Sequence, residues 1–219
     1  MQNVFFFLKI KSLFTIKNKI DFFIKIKINI YKMVLIGLVG KKGSGKDTLK
    51  DYITKNNNNI ISYAFADPLK EICRILFQLS HEQLYGHQSI KEKKIDELNV
   101  SPRILFQRIG TNLFRNELLN VLPEMKNVLK NDSIWIFAFK RWYKKNKNKN
   151  VIVSDVRFEN EAKSIQDMGG ILIYIDRYSN NYDQHESEKN IEKIKCDYVI
   201  KNKSTIIDLY KNFDKLNLL

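Results

Sequence analysis

The architecture of this chain follows from residues 34–55, which read VLIGLVGKKGSGKDTLKDYITK. The run from Val34 to Val39 is apolar throughout, which is typical of a strand buried on both faces. A helix is predicted from about Gly45 to Lys55. Between them lies the pattern G-x-x-G-x-G-K, which indicates a phosphate-binding loop when it joins a buried strand to a helix. The residues predicted to form this loop are Gly40, Lys41, Lys42, Gly43, Ser44, Gly45, Lys46, Asp47 and Thr48.

Such a loop binds phosphate mainly through its backbone. Glycines let the chain curl so that successive N–H groups point at phosphate oxygens, and the helix start adds unpaired N–H donors. Lys46, a predicted catalytic residue, supplies a mobile positive charge to the β- and γ-phosphates of a nucleotide. The alternative is a glycine-rich turn with a solvated lysine. It is disfavoured because strand, spacing and helix occur together.

One position departs from the usual pattern of these loops. The residue after the lysine is ordinarily Ser or Thr, whose hydroxyl contacts Mg²⁺, but here it is Asp47, with Thr48 one place later. Because Mg²⁺ prefers oxygen ligands and keeps several waters, Asp47 could bind it directly or through water. Asp47 could instead face the second substrate. Asp47 and Thr48 are therefore candidate metal ligands, and Asp47 is a candidate catalytic residue.

Strand and helix patterns alternate along the rest of the chain. Further strands are predicted at Ile60 to Phe65, Val151 to Ser154, Ile171 to Ile175 and Tyr198 to Ile200. Asp67-Pro68 and Ser101-Pro102 each predict a helix start, with the first residue as N-cap and proline in the first turn. The second start opens a long helix to about Val121, and Ile134 to Tyr143 is also predicted to be helical. This alternation predicts an α/β fold with a mainly parallel five-stranded sheet covered on both faces.

A second acidic position follows the strand at residues 151–154. Asp155 has the form of a Walker B carboxylate at the carboxyl edge of the sheet, where ligands bind in α/β folds. It is a candidate metal ligand and a candidate substrate contact. Arg157 is a predicted catalytic cation that could pair with phosphate bidentately. Its alternative is a surface salt bridge with Glu159 or Glu161.

The long helix after the second start signal carries residues suited to an anionic substrate. Arg103 lies near the helix start, where an anion binds favourably. Arg108 and Arg115 are seven apart and are predicted to share a helix face. Gly110 costs about 1 kcal/mol against alanine inside a helix, so it indicates close approach of a ligand or tight helix packing. Trp135 could stack on a base or ribose, although a core tryptophan is the more ordinary interpretation.

The net charge of +14 is high for 219 residues, and it is unevenly distributed. Residues 1–32 contain seven lysines and one acid, which gives +6 and leaves +8 for the remainder. A basic domain suits an anionic partner, and charge alone does not choose between nucleotides and nucleic acid. One alternative hypothesis is therefore a P-loop NTPase stimulated by DNA or RNA.

Residues 1–32 also differ from residues 33–219 in composition, since Lys, Ile, Phe and Asn dominate them. They are either a basic extension or a segment upstream of a translation start at Met33. The second is favoured because the recognisable domain begins there. No stretch reaches the roughly 18 to 20 apolar residues of a bilayer span, and no signal-peptide pattern appears. A cytoplasmic protein without a membrane partner is predicted by elimination.

Five groups of residues share a pattern with one family. They are Gly45-Lys46-Asp47-Thr48, Phe65-Ala66-Asp67-Pro68-Leu69-Lys70, Ser101-Pro102-Arg103 with Gln107 and Gly110-Thr111, Ser154-Asp155-Val156-Arg157-Phe158 with Asn160-Glu161, and His185-Glu186-Ser187-Glu188. Together they resemble the deoxynucleoside monophosphate kinases of phages and large DNA viruses. The resemblance runs from about Met33 to the C-terminus, and its most distinctive parts are GKDT and DVRF.

The resemblance implies a three-layer P-loop kinase fold, ATP and Mg²⁺ as cofactors, and a deoxynucleoside monophosphate as acceptor. The expected partner is a small nucleotide rather than nucleic acid, and a homodimer is an open alternative. The resemblance places Arg103, Gly110, Thr111 and Asp155 at the acceptor site, and Lys70, Trp135 and Arg157 near it. Gln107 and Arg115, on the helix after Ser101, are further candidate substrate contacts. The resemblance also places Asn202 and Lys203 beside the adenine of ATP.

Three alternatives stay open from the sequence besides this family. Dephospho-CoA kinase and phosphomevalonate kinase would share the ATP site and differ in the acceptor pocket. The nucleic-acid-stimulated NTPase would bind with steep salt dependence. A non-enzymatic nucleotide-binding module would bind ATP without turnover.

Overall fold

The five predicted strands form one parallel sheet in the computed structural model of the chain. The structure describes residues 33–130, 132–177 and 190–219. Residues 1–32 and the His185–Glu188 cluster lie outside these ranges. The strands are β1 (Leu35–Val39), β2 (Ile60–Tyr63), β3 (Asn150–Val156), β4 (Ile171–Asp176) and β5 (Tyr198–Lys201), in the spatial order β2-β3-β1-β4-β5. Every pairing between neighbours is parallel.

Helices connect the strands. They are α1 (Lys46–Asn56), α2 (Asp67–Phe77), α3 (His81–Tyr85), α4 (Gln88–Glu92), α5 (Pro102–Gln107), α6 (Leu118–Val121), α7 (Lys126–Leu129), α8 (Ile134–Lys145), α9 (Glu159–Asp167) and α10 (Ile206–Asp214). A π-helix (Arg108–Glu117) joins α5 to α6, and short 3₁₀ turns lie at Pro123–Met125 and Asn190–Lys193. None of the helices in the described ranges combines the length and the apolarity that a bilayer crossing requires.

The sheet is buried on both faces, because successive side chains of a strand point to opposite sides. Leu35 and Val39 of β1 pack into one hydrophobic cluster together with residues of α2, α8 and α9. Ile36 and Leu38 pack into a second cluster together with residues of α1 and α10. Two separate cores on either side of one sheet make three layers, so the predicted α/β architecture is confirmed.

Three local predictions were wrong in detail. β2 ends at Tyr63 rather than at Phe65, and β3 continues to Val156, so Asp155 lies within the strand. The N-cap of α2 is Ala66, and Asp67 is already helical; its carboxylate accepts a hydrogen bond from the Ala64 amide at 3.2 Å. The Asp67 carboxylate therefore accepts from an amide in the turn before the helix and does not cap the amides of the first helical turn.

The predicted long helix from Ser101 is continuous to Val121, but its middle is a π-helix. In a π-helix each amide bonds five residues back, which widens the turn and changes which residues share a face. Arg115 accordingly lines a cavity, whereas Arg108 is exposed and does not. The prediction that these two arginines share a face was therefore wrong.

Candidate active site

The loop between β1 and α1 has the backbone that its glycines predict. Gly40, Gly43 and Gly45 have φ of 155°, 77° and 101°, a region that residues with a Cβ rarely adopt. A Cβ on Gly40 would also lie 2.7 Å from Ser44 Oγ and 2.8 Å from the Ile175 carbonyl oxygen. Only glycine therefore fits where the loop leaves β1.

Lys46 is buried against this loop, with 7% of its surface exposed. Its ammonium donates hydrogen bonds to the carbonyl oxygens of Gly40 at 2.5 Å and Lys41 at 2.8 Å, and lies 3.4 Å from Ser44 Oγ. Helix α1 begins at Lys46 without a side-chain cap. Its first turn therefore presents backbone N–H groups that an anion can bind, beside a lysine that the loop itself holds in place.

Asn202, which follows β5, supports the loop between β1 and α1 through a hydrogen bond. Its side-chain amide donates to the Ser44 carbonyl oxygen at 2.8 Å, and the residue is 7% exposed. A Cβ on Gly45 would lie only 2.6 Å from Asn202 Nδ2, so the close approach of the two depends on glycine. In this structure Asn202 is thus a support of the loop backbone. Lys203 beside it lies 3.9 Å from Asp176.

A cavity of about 680 Å³ opens beside the loop, between the carboxyl ends of β2 and β3 and the helices that follow. It is of the size that small-molecule sites usually have. The predicted site residues that line it are Lys42, Asp47, Lys70, Arg103, Gln107, Gly110, Thr111, Arg115, Trp135, Asp155 and Arg157. The remaining predicted loop residues, including Lys46 and Thr48, do not line it. The cavity is therefore next to the loop rather than formed by it.

Asp155 joins the end of β3 to the turn after β2. Its two carboxylate oxygens accept hydrogen bonds from the Phe65 amide at 2.7 Å and the Ala66 amide at 2.9 Å. Burial raises the pKa of this carboxyl, and the two amides and the charges of Arg157 and Lys70 oppose the rise. Asp155 thus fixes the cavity wall in addition to facing the cavity.

A buried acid, Glu161, holds Arg115, although the sequence pattern indicates Glu161 as a surface salt-bridge partner of Arg157 and as part of the family motif. Glu161 is 2% exposed, and its Oε1 accepts a hydrogen bond from Arg115 Nη2 at 2.6 Å. Its Oε2 accepts from the backbone amides of Arg157 at 3.0 Å and Phe158 at 3.2 Å. The Arg115 guanidinium also stacks on the Phe158 ring at 3.6 Å. Glu161 therefore fixes both the arginine and the backbone that carries Arg157.

Trp135 is buried, as the ordinary interpretation had it, and it also lines the cavity. Its indole N–H donates to the Gly110 carbonyl oxygen at 3.0 Å. A Cβ on Gly110 would meet Leu69 Cδ2 at 2.6 Å, so this glycine allows tight packing of the π-helix against α2. The π-helix is thereby fixed to α8, and the indole forms part of the wall.

Sequence reasoning missed the contribution of α4. Gln88 and Lys91 of this helix line the cavity, and Gln88 accepts a hydrogen bond from Arg103 at 2.6 Å. Glu92 lies 3.0 Å from Lys42 of the loop and 3.4 Å from Arg103. The only sequence signal was the start of the preceding helix α3, a capping box formed by Ser80 and Gln83 three residues later. That signal predicts a helix at α3, and it does not indicate that residues of α4 line the cavity.

Oxygen donors suited to a divalent ion are sparse. In residues 33–130, 132–177 and 190–219, no three His, Cys, Asp or Glu side chains converge as a metal site. Asp47 is exposed at the cavity edge, and Thr48 is half-buried in the same helical turn. This donor set fits an Mg²⁺ ion that arrives with nucleotide phosphates and keeps several waters, and does not form an all-protein cage.

Two comparisons of the sequence with known proteins give matches. Residues 34–99 and 80–213 match the profile of the deoxynucleotide monophosphate kinase family. A protein of Acanthamoeba polyphaga mimivirus, provisionally named a deoxynucleotide monophosphate kinase, is 43% identical over 185 residues, which are 81% of this chain and 93% of that protein.

Two solved structures share the fold only remotely. Shikimate kinase from Aquifex aeolicus is 17% identical, with a TM-score of 0.39 over 84% of this chain and 96% of that one. Dephospho-CoA kinase from Campylobacter jejuni is 15% identical, with a TM-score of 0.42 over 84% and 94%. Neither adds to the assignment, which depends on the sequence matches. Those matches cover most of residues 33–219, and the chain belongs to the deoxynucleotide monophosphate kinase family.

Proposed function

We propose that this chain transfers the γ-phosphoryl group of ATP to the phosphate of a deoxynucleoside monophosphate. The observation that carries the proposal is the juxtaposition of a glycine-rich loop, with Lys46 held against it, and a cavity that combines aromatic walls with cations. The loop is suited to a nucleoside triphosphate, and the cavity to a second, singly phosphorylated substrate. Membership of the kinase family supports this division.

ATP would bind with its β- and γ-phosphates in the loop. The positive-φ glycines and the uncapped start of α1 supply backbone donors, and Lys46 supplies the cation. Asn202 keeps the Ser44 peptide in position, so the curvature of the loop does not depend on the ligand. A preformed loop of this kind lowers the ordering cost of binding.

Asp47, with Thr48 as a second oxygen donor, is the residue proposed to hold Mg²⁺, and Asp155 is a further candidate. When bound, Mg²⁺ neutralises charge on the triphosphate oxygens and orients them. Asp47 at the edge of the cavity is exposed and can accept an ion together with its waters. Asp155 already accepts two backbone amides, so the metal role of Asp155 is the weaker part of this proposal.

The acceptor would lie in the cavity. Its base would meet the apolar wall, where Trp135 is fixed by Gly110. Its phosphate would meet the cations that line the same cavity, including Lys70, Arg103 and Arg157. Arginine binds a phosphate in a planar, bidentate way, which favours a defined orientation of the attacking oxygen. The cavity thus offers both ends of a nucleotide a matching surface.

The transfer needs little covalent chemistry from the protein. An acceptor phosphate oxygen forms a bond to the γ-phosphorus while the bond to the β–γ bridging oxygen breaks, and ADP leaves with that electron pair. The attacking oxygen is already anionic, so no general base is required. Positioning and positive charge around the equatorial oxygens therefore account for catalysis. Lys46 and Arg157 are the residues proposed to supply that charge.

The proposal is tested by ADP release from purified protein with ATP, Mg²⁺ and each deoxynucleoside monophosphate. Lys46→Ala should lower kcat/KM by about two orders of magnitude or more, because a preorganised cation is lost from the site of developing charge. Lys55→Ala is the matched control, since Lys55 is exposed at the far end of the same helix. An active Lys46→Ala protein would refute the assigned site.

The same assay separates the alternatives when the acceptor is varied. Ribonucleoside monophosphates, dephospho-CoA, phosphomevalonate and single-stranded DNA replace the deoxynucleotide in turn. We expect turnover with at least one deoxynucleoside monophosphate and no stimulation by DNA. Faster turnover of dephospho-CoA or phosphomevalonate than of any deoxynucleoside monophosphate would refute the proposed acceptor. We expect the protein to act in a cytoplasm. Whether it forms a homodimer is measured by light scattering.

A further inference from the structure

Lys91 lies on a helix that sequence reasoning left without a function. In α4, Gln88 and Lys91 are three residues apart and therefore share a face, and both line the cavity. The next residue, Glu92, bonds Lys42 of the phosphate-binding loop at 3.0 Å. The helix is thus tied to the loop by one side chain while it directs the neighbouring lysine at the cavity.

The cations around Lys91 already have protein partners. Lys42 bonds Glu92, and Arg103 donates to Gln88 at 2.6 Å and lies 3.4 Å from Glu92. Over the ranges of the chain that the structure describes, no hydrogen bond or ion pair engages the ammonium of Lys91. A half-buried ammonium without a hydrogen-bond partner is costly, and a bound anion would offset that cost.

The charges that act on Lys91 come from both substrate sides. Burial lowers the pKa of Lys91, and Lys70, Arg103 and Lys42 lower it further, while Asp47 opposes them. Lys42 and Asp47 belong to the loop and to α1, on the ATP side. Lys70 of α2 and Arg103 of α5 belong to the proposed acceptor side. Lys91 therefore lies where the two sides meet, in a region with an excess of positive charge.

We propose that Lys91 is a catalytic residue whose ammonium contacts the phosphoryl group during its transfer. This inference rests on the proposed function. As the bond from the acceptor oxygen to the γ-phosphorus forms and the bond to the bridging oxygen breaks, charge is shared among three equatorial oxygens. The ammonium of Lys91 stabilises that charge and takes no part in proton transfer. A group that contacts the transferring phosphoryl group contributes mainly when both substrates are bound.

Binding and kinetics test the inference together. A dinucleoside pentaphosphate that joins adenosine to thymidine spans both sites, and calorimetry measures its affinity for the wild type and for Lys91→Met. We expect the variant to bind this compound about 10- to 100-fold more weakly, with kcat reduced about 100-fold, because one preorganised donor is lost. Affinities for ADP alone and for dTMP alone should change less than about threefold. Lys91→Arg should restore part of kcat.

Lys94→Met, at an exposed lysine just after α4, is the control and should behave as the wild type. Thermal unfolding followed by circular dichroism establishes that each variant is folded. Unchanged kcat in a folded Lys91→Met would overturn the inference, and so would an equal loss of affinity for ADP alone. If the proposed function itself is wrong, the wild type shows no turnover. If only this inference is wrong, the wild type and Lys91→Met are equally active.

Discussion

Replacing Glu161 with glutamine should destabilise the protein strongly, although the side chain keeps its size. The carboxylate is 2% exposed and accepts three hydrogen bonds, one from Arg115 at 2.6 Å and two from the backbone amides of Arg157 and Phe158. Glutamine offers one oxygen and one NH₂ group, so a donor must face either Arg115 or the amides. The variant also leaves the Arg115 guanidinium, which is 13% exposed, without a counter-charge.

Breaking a buried ion pair by removal of one partner costs about 3–5 kcal/mol. We therefore expect Glu161→Gln to lower the free energy of unfolding by about that amount. The measurement is urea denaturation followed by far-ultraviolet circular dichroism, without nucleotide, since a bound ligand would stabilise the folded state. Glu159→Gln is the matched control, because Glu159 is exposed on the same helix and should cost less than about 0.5 kcal/mol.

A double-mutant cycle separates the ion pair from the backbone contacts. In Arg115→Met/Glu161→Gln the guanidinium is gone, and the glutamine oxygen can accept from both amides. The double variant should therefore be more stable than the sum of the single changes predicts, by about 0.5–3 kcal/mol. Additive losses, or a cost below about 1 kcal/mol for Glu161→Gln, would refute the view that this pair holds the cavity wall.

Three further predictions concern Asn202, residues 1–32 and the two cysteines. Asn202→Ala should raise the KM for ATP about tenfold, because the Ser44 carbonyl loses its buried donor; a normal KM would contradict its role as a support. A chain that starts at Met33 should keep kcat/KM within about twofold, since terminal segments are commonly dispensable, and loss of activity would show otherwise. Burial raises the pKa of Cys73 and of Cys196 to about 11. Mass spectrometry should therefore show slow alkylation by iodoacetamide at neutral pH, unless the protein is unfolded.

Local sequence patterns suffice to predict the phosphate-binding loop and the layered sheet. Both depend on local physics: the apolar run of β1, the glycines that permit positive φ, and the alternation of strand and helix. The candidate residues along the loop, at Asp155 and on the helix after Ser101 were predicted in the same way and remain predictions. All the residues predicted for the acceptor site line one cavity, as expected for residues near the carboxyl edge of a sheet.

How these residues are held, and which other residues join them, depends on the packing of distant parts of the chain. The bond from Asn202 to the Ser44 carbonyl spans 158 positions, and the pair of Arg115 and Glu161 spans 46. Such pairings depend on how the layers pack, and no periodicity along the chain records them. The same holds for Lys91, because a lysine on a short helix looks like any solvated surface residue until the fold turns it into a cavity among other cations.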